Sequence, residues 1–233
     1  MMDNEVRATP EQLGVRPSAA LAQQFLIHAF AWMFAGLLIT AAVAAIVQGS
    51  PSLTNMIGRN YWLLFFGQLA LVFVISGAIR RISATVALGL FFLYAATLGL
   101  TIGLIVQYYT GGSVTIAFVS ASAMFGGAAV YGATTRRSLA SIGGILFMAL
   151  IGLLVAIVVN LFLQSAAATW LISIAGVVIF TGLTAWDVQR IQNGTFAAAI
   201  GSMDKAAVIG ALALYLNFIN LFLFLLRLTG GRR

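Results

Sequence analysis

Apolar residues run along this chain in seven long blocks, at about 24–47, 61–79, 84–108, 114–135, 139–163, 167–191 and 205–228. Each is about as long as the 20 or so residues that a helix needs to cross the hydrocarbon core of a bilayer. None alternates polar and apolar positions, so the two-residue period of a transmembrane barrel strand is excluded. The punctuation between blocks is local. Gly49-Ser50-Pro51 ends the first, Arg80-Arg81 and Arg136-Arg137 mark tight turns, and Gly111-Gly112 breaks another. Gln192-Asn193-Gly194 ends the sixth, and Ser202 or Asp204 is placed to cap the seventh. Residues 1–20 are polar and carry Pro10 and Pro17, which reads as a short disordered tail. Residues 21–233 read as a single transmembrane helical domain. The expected fold is an all-α membrane protein, a seven-transmembrane-helix bundle.

Composition agrees. Of 233 residues, 62% are hydrophobic and 7% charged, where a soluble domain carries about 25% charged residues. The net charge of +7 does not point to nucleic acid, because the basic residues stand singly or in pairs at the ends of apolar runs. With no cysteine, disulfides and thiolate metal sites are excluded. One His and five carboxylates are too few for a metal site, and none is expected. No phosphate loop, catalytic triad or HExxH motif occurs, so neither a cofactor nor an enzymatic activity is expected.

Candidate chemistry comes from polar groups inside the apolar blocks. A charged group at the centre of a membrane helix costs about 2.5–3.5 kcal/mol on insertion scales, so each marks a candidate site. Asp187, in Gly182-Leu-Thr-Ala-Trp-Asp-Val-Gln-Arg190, is the only carboxylate inside any block. It is one helical turn from Arg190, so a local ion pair is an equal alternative to a functional role. Trp186 beside it also suits the interface belt. Arg80 ends the second block at the same side of the membrane and is a second candidate partner. Gln68, Gln107, Asn160, Asn217 and Asn220 read singly as interhelical hydrogen-bonders. Asn217 and Asn220 share a helix face, which favours an interior place for the last helix. Gly99 with Gly103, and Ala128 with Gly132, permit close helix approach, within one chain or between the chains of an oligomer.

The segment Ala211-Leu-Ala-Leu-Tyr-Leu-Asn-Phe-Ile-Asn-Leu-Phe-Leu-Phe-Leu-Leu-Arg227 resembles the signature last helix of the Bax inhibitor-1 family. Gly182-Leu-Thr-Ala-Trp-Asp-Val-Gln189 resembles its sixth helix. Leu146-Phe-Met-Ala-Leu-Ile-Gly152 and Met124-Phe-Gly-Gly127 resemble its bacterial members. The resemblance implies a seven-helix fold with the last helix central, in the cytoplasmic (inner) membrane of a bacterium. It implies a pH-sensitive calcium or cation leak serving ion homeostasis. The alternative it offers is a non-conducting modulator of a membrane-anchored protease or stress complex. In the family's leak mechanism an aspartate pair on the last two helices shares a proton, and an arginine at the end of the second helix contacts the first of them. Asp187 and Arg80 match two of these positions. The third is Asn217, which accepts and donates hydrogen bonds but does not titrate. Two close carboxylates share a proton because both cannot ionise together; an Asp–Asn pair leaves any pH switch to Asp187 alone. Calcium prefers 6–8 oxygen ligands, so a calcium ion would at most be weakly bound in transit. The ion pathway and gate are therefore expected at Asp187, Asn217 and Arg80, with Asn220 and Arg190 as supporting contacts. The expected gate is an Arg80–Asp187 ion pair. An Asp187–Asn217 contact requires the ends of the last two helices to be staggered.

Orientation follows from the basic residues. The N-terminal segment and the loops after the second, fourth and sixth blocks carry Arg7, Arg16, Arg80, Arg81, Arg136, Arg137, Arg190 and Lys205; the opposite loops carry Arg59. The positive-inside rule puts the N-terminus in the cytoplasm. Arg227, Arg232 and Arg233 argue the other way for the C-terminus, which a re-entrant last helix would reconcile. With the Arg136-Arg137 turn inside, Ser138→Cys in intact cells should resist a membrane-impermeant thiol reagent. Efficient labelling there would reverse the orientation.

Overall fold

The computed structural model describes residues 19–231. Residues 1–18, which hold most of the expected tail, and Arg232 and Arg233 lie outside the described residues. Among the described residues there are nine helices: α1 (Ala19–Gln48), α2 (Pro51–Arg59), α3 (Tyr61–Ala78), α4 (Ala84–Val106), α5 (Gly111–Thr134), α6 (Ala140–Leu163), α7 (Ala166–Gln192), α8 (Thr195–Ile200) and α9 (Met203–Thr229). Seven of them, all but α2 and α8, are long and apolar enough to cross a membrane. They coincide with the seven apolar blocks.

Short side-chain caps begin α2, α4, α5, α7 and α9. The Ser83, Thr110 and Ser165 hydroxyls accept from the backbone N–H three residues on, at 3.2, 3.3 and 3.2 Å. Each satisfies a donor that would otherwise be orphaned at a helix start. Ser202, not Asp204, caps α9. The two short helices were not expected, and both grow from residues read as breakers. Pro51 stands at the first position of α2 behind a Ser50 cap, where its missing N–H costs nothing. Gly194 and Gly201 bracket α8 with φ of 69° and 75°, a left-handed geometry that glycine adopts without strain.

The bundle is organised about α9, which packs against α1, α4, α5, α7 and α8. In its most apolar stretch 72% of the residues are buried, against 11% in α3 and α6, so α9 is the central helix and those two are peripheral. α3 leans on α4, and α6 on α7. α9 is one unbroken helix, about 40 Å long at 1.5 Å per residue. That length suffices to cross a membrane.

Four of the five predicted polar bonders join different elements. The Gln68 amide donates to Thr97 O (2.9 Å) and Thr101 Oγ1 (2.8 Å), tying α3 to α4. Gln107 donates to Thr54 of α2 at 3.0 Å, and Asn160 to Thr169 across the α6–α7 turn at 2.8 Å. Asn217 is the fourth. Asn220 differs: its amide donates to Leu216 O of its own helix at 2.8 Å and makes no link to another helix.

The small residues lie at contacts within the chain. A Cβ at Gly99 would fall 2.8 Å from both Thr40 O and Val43 Cβ, and one at Gly103 2.7 Å from Val47 Cβ. These glycines let α1 lie directly on α4. A bulkier residue must push the helices apart, at about 1–3 kcal/mol for overpacking. Gly99→Leu should therefore lower the Tm of the detergent-solubilised protein. Gly152→Leu, where an added Cβ meets nothing within 4 Å, should leave it unchanged. Equal melting of the two variants would refute the α1–α4 contact.

Candidate functional site

The last turns of α7 read Trp186-Asp187-Val188-Gln189-Arg190, and helical geometry sends these side chains in different directions. Asp187 faces α9 and is 7% exposed; Asn217, on α9, is 5% exposed. The Asn217 amide donates to Asp187 Oδ2 at 2.9 Å, and Arg190 donates to Asp187 Oδ1 at 3.1 Å. Each carboxylate oxygen thus has a donor, and no buried polar side-chain atom among the described residues lacks a partner.

The stagger needed for this contact comes from the α7–α9 corner. Asp187 lies in the last two turns of α7, whereas Asn217 is about four turns into α9. The chain runs on past α7 through α8 before α9 begins, so the start of α9 overhangs the end of α7. The two side chains are thereby brought to the same depth.

Arg190 does more than pair with Asp187. Its guanidinium lies 4.5 Å from the Trp186 ring centroid and 4.1 Å from that of Phe196. It is held between two aromatic faces, an arrangement that suits a planar cation. Trp186 serves the cation here and is half-buried. Phe196 is buried and belongs to α8, so the Asp187–Arg190 pair is linked through a ring to the short helix.

The expected Arg80–Asp187 pair is not formed. The ion pair among the described residues is Asp187–Arg190. Arg80 instead donates to Ala199 O near the end of α8, and its own carbonyl accepts from Lys205 Nζ at 3.2 Å. The inserted α8 supplies a backbone carbonyl that satisfies the guanidinium, while Arg190, three residues away on the same helix, satisfies the carboxylate. Both arginines thus hold α8, Arg190 through Phe196 and Arg80 through Ala199.

Two further polar features escaped the sequence reading. Gln189 accepts from Leu139 N–H (2.7 Å) and donates to Arg137 O (2.9 Å), fastening the α5–α6 turn to α7. Deeper in the bundle, Thr40 lies 2.6 Å from the Tyr215 hydroxyl and donates to Ala95 O at 2.9 Å. Thr40 has one proton to give, so Tyr215 is the donor between the two hydroxyls. This joins α1, α4 and α9. The signal for Gln189 was present in the sequence, as a polar residue on a different face of α7 from Asp187. Nothing comparable marked Thr40.

Beyond Asn217 along α9 come Phe218, Leu221, Phe222 and Leu225, all buried. Phe118 and Phe125 of α5 close on Phe218 at centroid distances of 5.6 and 5.5 Å, and Phe118 reaches Phe222 at 6.4 Å. An aromatic cluster, its outermost member Phe118 half exposed, thus adjoins the polar pair on this side, and α8 lies beyond Arg190 on the other. Among the described residues no three His, Asp or Glu side chains come together to hold a metal.

These features define a class: a polytopic helical membrane protein whose buried carboxylate is hydrogen-bonded to a central helix. The comparisons carry the assignment further. The family model described as inhibitor of apoptosis-promoting Bax1 matches residues 22–233. The inner membrane protein YbhL of Escherichia coli K12 is 43% identical over 227 residues, covering 94% of this chain and 96% of that protein. An uncharacterized protein of Borreliella burgdorferi is 41% identical over 90% of this chain and 93% of its own. The uncharacterized protein YrjE of Lactococcus lactis is 39% identical, with coverage of 88% and 90%. The chain belongs to the Bax inhibitor-1 family.

The geometry ranks two arginines. Loss of a hydrogen bond to a buried charged group costs about 1.5–3 kcal/mol. Arg190→Gln removes the donor to Asp187 Oδ1 and the stacked cation together, whereas Arg80→Gln removes one bond to an exposed carbonyl. Denaturant unfolding in mild detergent should show Arg190→Gln as the more destabilised. If Arg80→Gln costs as much, the partition of the two arginines is wrong.

Proposed function

We propose that this protein is a cation-leak protein for ion homeostasis, lying in the cytoplasmic membrane of a bacterium with its N-terminus inside. The bundle described here is its closed state. The observation that carries the reading is Asp187 itself, a carboxylate buried among membrane-crossing helices and bonded to the central one. A membrane helix retains such a group at a cost of several kcal/mol, and ion or proton pathways are the usual reason. Location in the inner membrane rests on the relative in E. coli and on the distribution of bases. The reading is one of transport, without enzymatic chemistry or a resident cofactor.

In the closed state two barriers stand in series. The Phe118–Phe125–Phe218–Phe222 cluster blocks one side of the polar pair. On the other side, Arg190 carries a positive charge against Asp187 and is pinned by Phe196. A cation must displace that charge to reach the carboxylate. Protonation of Asp187 removes the attraction that holds Arg190, so acid favours opening. Arg190 thus takes the part expected of Arg80. With Asn217 in place of a second carboxylate, the site offers a passing cation one negative charge and one amide oxygen. This suits a weakly held ion, calcium included, better than a tight calcium site.

The purified protein in liposomes should pass Ca²⁺ or K⁺ faster than empty vesicles, more so at acid pH. Asp187→Ala should abolish the pH response. Flux no greater than that of empty liposomes would defeat the reading and favour a non-conducting membrane partner of a protease or stress complex, in which the same polar contacts simply hold helices together.

A further inference from the structure

A second polar region lies at the corner where α3 ends and α8 turns into α9. A cavity of about 350 Å³ opens there, lined by Arg80, Ala198, Ala199, Ile200 and Gly201. We propose that this cavity is a binding site for an anionic phosphate group, the headgroup of an acidic phospholipid.

Arg80 has five N–H donors, and one of its nitrogens reaches Ala199 O; the rest of the fork is exposed at the cavity. Lys205 is anchored by one bond to Arg80 O, which sets its ammonium beside the backbone of Arg80 and leaves two donors. Neither cation has a carboxylate within salt-bridge distance among the described residues. Asp187, the buried acid, is fully engaged by Arg190 and Asn217. Asp204 is exposed in the first turn of α9, where it favours the helix dipole but pairs with neither base. Two positive charges are thus held at one corner by neutral carbonyls, with no carboxylate among the described residues paired against them, so the corner presents uncompensated positive charge to an external anion.

Shape and depth agree with a phosphate. Gly201 turns the corner at φ 75° with no side chain, and a Cβ there would meet nothing within 4 Å, so the cavity is roomy at this edge. Arg80 follows a membrane-crossing helix by two residues and Lys205 lies in the first turn of another, so the corner sits at the level of lipid headgroups. A planar guanidinium binds two phosphate oxygens at once, and the ammonium adds a point charge. The site stands whether or not the bundle conducts. Because the same guanidinium holds Ala199, an anion bound there also braces α8.

The test is a calorimetric titration of the full-length protein in neutral detergent with dihexanoyl phosphatidylglycerol, dihexanoyl phosphatidylcholine and inorganic phosphate. Saturable binding of the glycerol lipid is expected, weakened roughly thirtyfold in Arg80→Gln/Lys205→Gln, from the usual strength of a basic residue near an anionic surface. The charge-keeping Arg80→Lys/Lys205→Arg variant should retain most of it, and the Tm of each variant shows that it is folded. Inorganic phosphate binding as tightly as the lipid, with the same dependence on the two bases, would support the anion site but assign it to a solvated phosphate. The proposal is overturned by any of three results: no saturable binding, equal affinity for phosphatidylcholine, or an equal loss in Arg136→Gln/Arg137→Gln. The last would mean that diffuse charge at this face attracts the lipid.

Discussion

A carboxylate and an amide buried among membrane-crossing helices gain from meeting each other, because hydrocarbon offers neither a partner. The bond from Asn217 to Asp187 is that meeting, and much of the architecture follows from it. It fixes the depth of α9 against α7, which requires the start of α9 to overhang the end of α7. The overhang leaves a stretch of chain to fold back, and α8 is that stretch. The glycines at its two ends supply the turns. Once α8 is in place, its Phe196 ring and Ala199 carbonyl become the partners of the two arginines at this level. The short helix thus fits the overhang that goes with the buried polar pair.

The same constraint explains why α9 is central. Its Asn217 needs shelter on one side, and its Tyr215 hydroxyl needs Thr40 on another. A helix with polar obligations in two directions cannot lie at the lipid boundary. α6 has its one polar link at its end, through Asn160, and α3 has one through Gln68 near its middle; both are peripheral. The number and direction of polar contacts, more than hydrophobicity, distinguish the interior helix from the outer ones. All seven are apolar enough to cross, so hydrophobicity alone does not rank them.

This accounts for what was legible in the sequence. The seven spans could be read because their length and composition answer directly to bilayer thickness. Asp187, Asn217 and Arg190 could be read because a polar group in an apolar run is conspicuous. The two short helices could not, since Pro51 and Gly194 are equally good as breakers and as starts. The partner of Asp187 was underdetermined for a similar reason. Arg80 and Arg190 lie at the same end of the bundle, and the choice between them turns on where α8 sits, a tertiary fact. Asn220 shows the converse error. Its spacing from Asn217 promised a shared role, but its amide closes on Leu216 O one turn back, a local alternative always open to Asn in a helix.

Asn217 is where the chemistry of this chain departs from a carboxylate pair, and the geometry shows what the amide does instead. An aspartate at 217 would place two carboxylates in hydrogen-bond contact, and one proton would have to be kept between them. The amide delivers that hydrogen bond permanently, through an N–H that does not dissociate. The contact between α7 and α9 therefore persists whether or not Asp187 is ionised. What remains sensitive to the charge of Asp187 is its other oxygen, bonded to Arg190, and through Arg190 the aromatic contact to α8. Under the leak reading, a loss of charge at Asp187 would be transmitted along one path, outward to the short helix, while the central helix stays fixed. On that reading the Asn217 amide makes a holding bond, and Arg190 a switching bond, on a single carboxylate. Under the leak reading, the moving part is then the α8 corner and not α9.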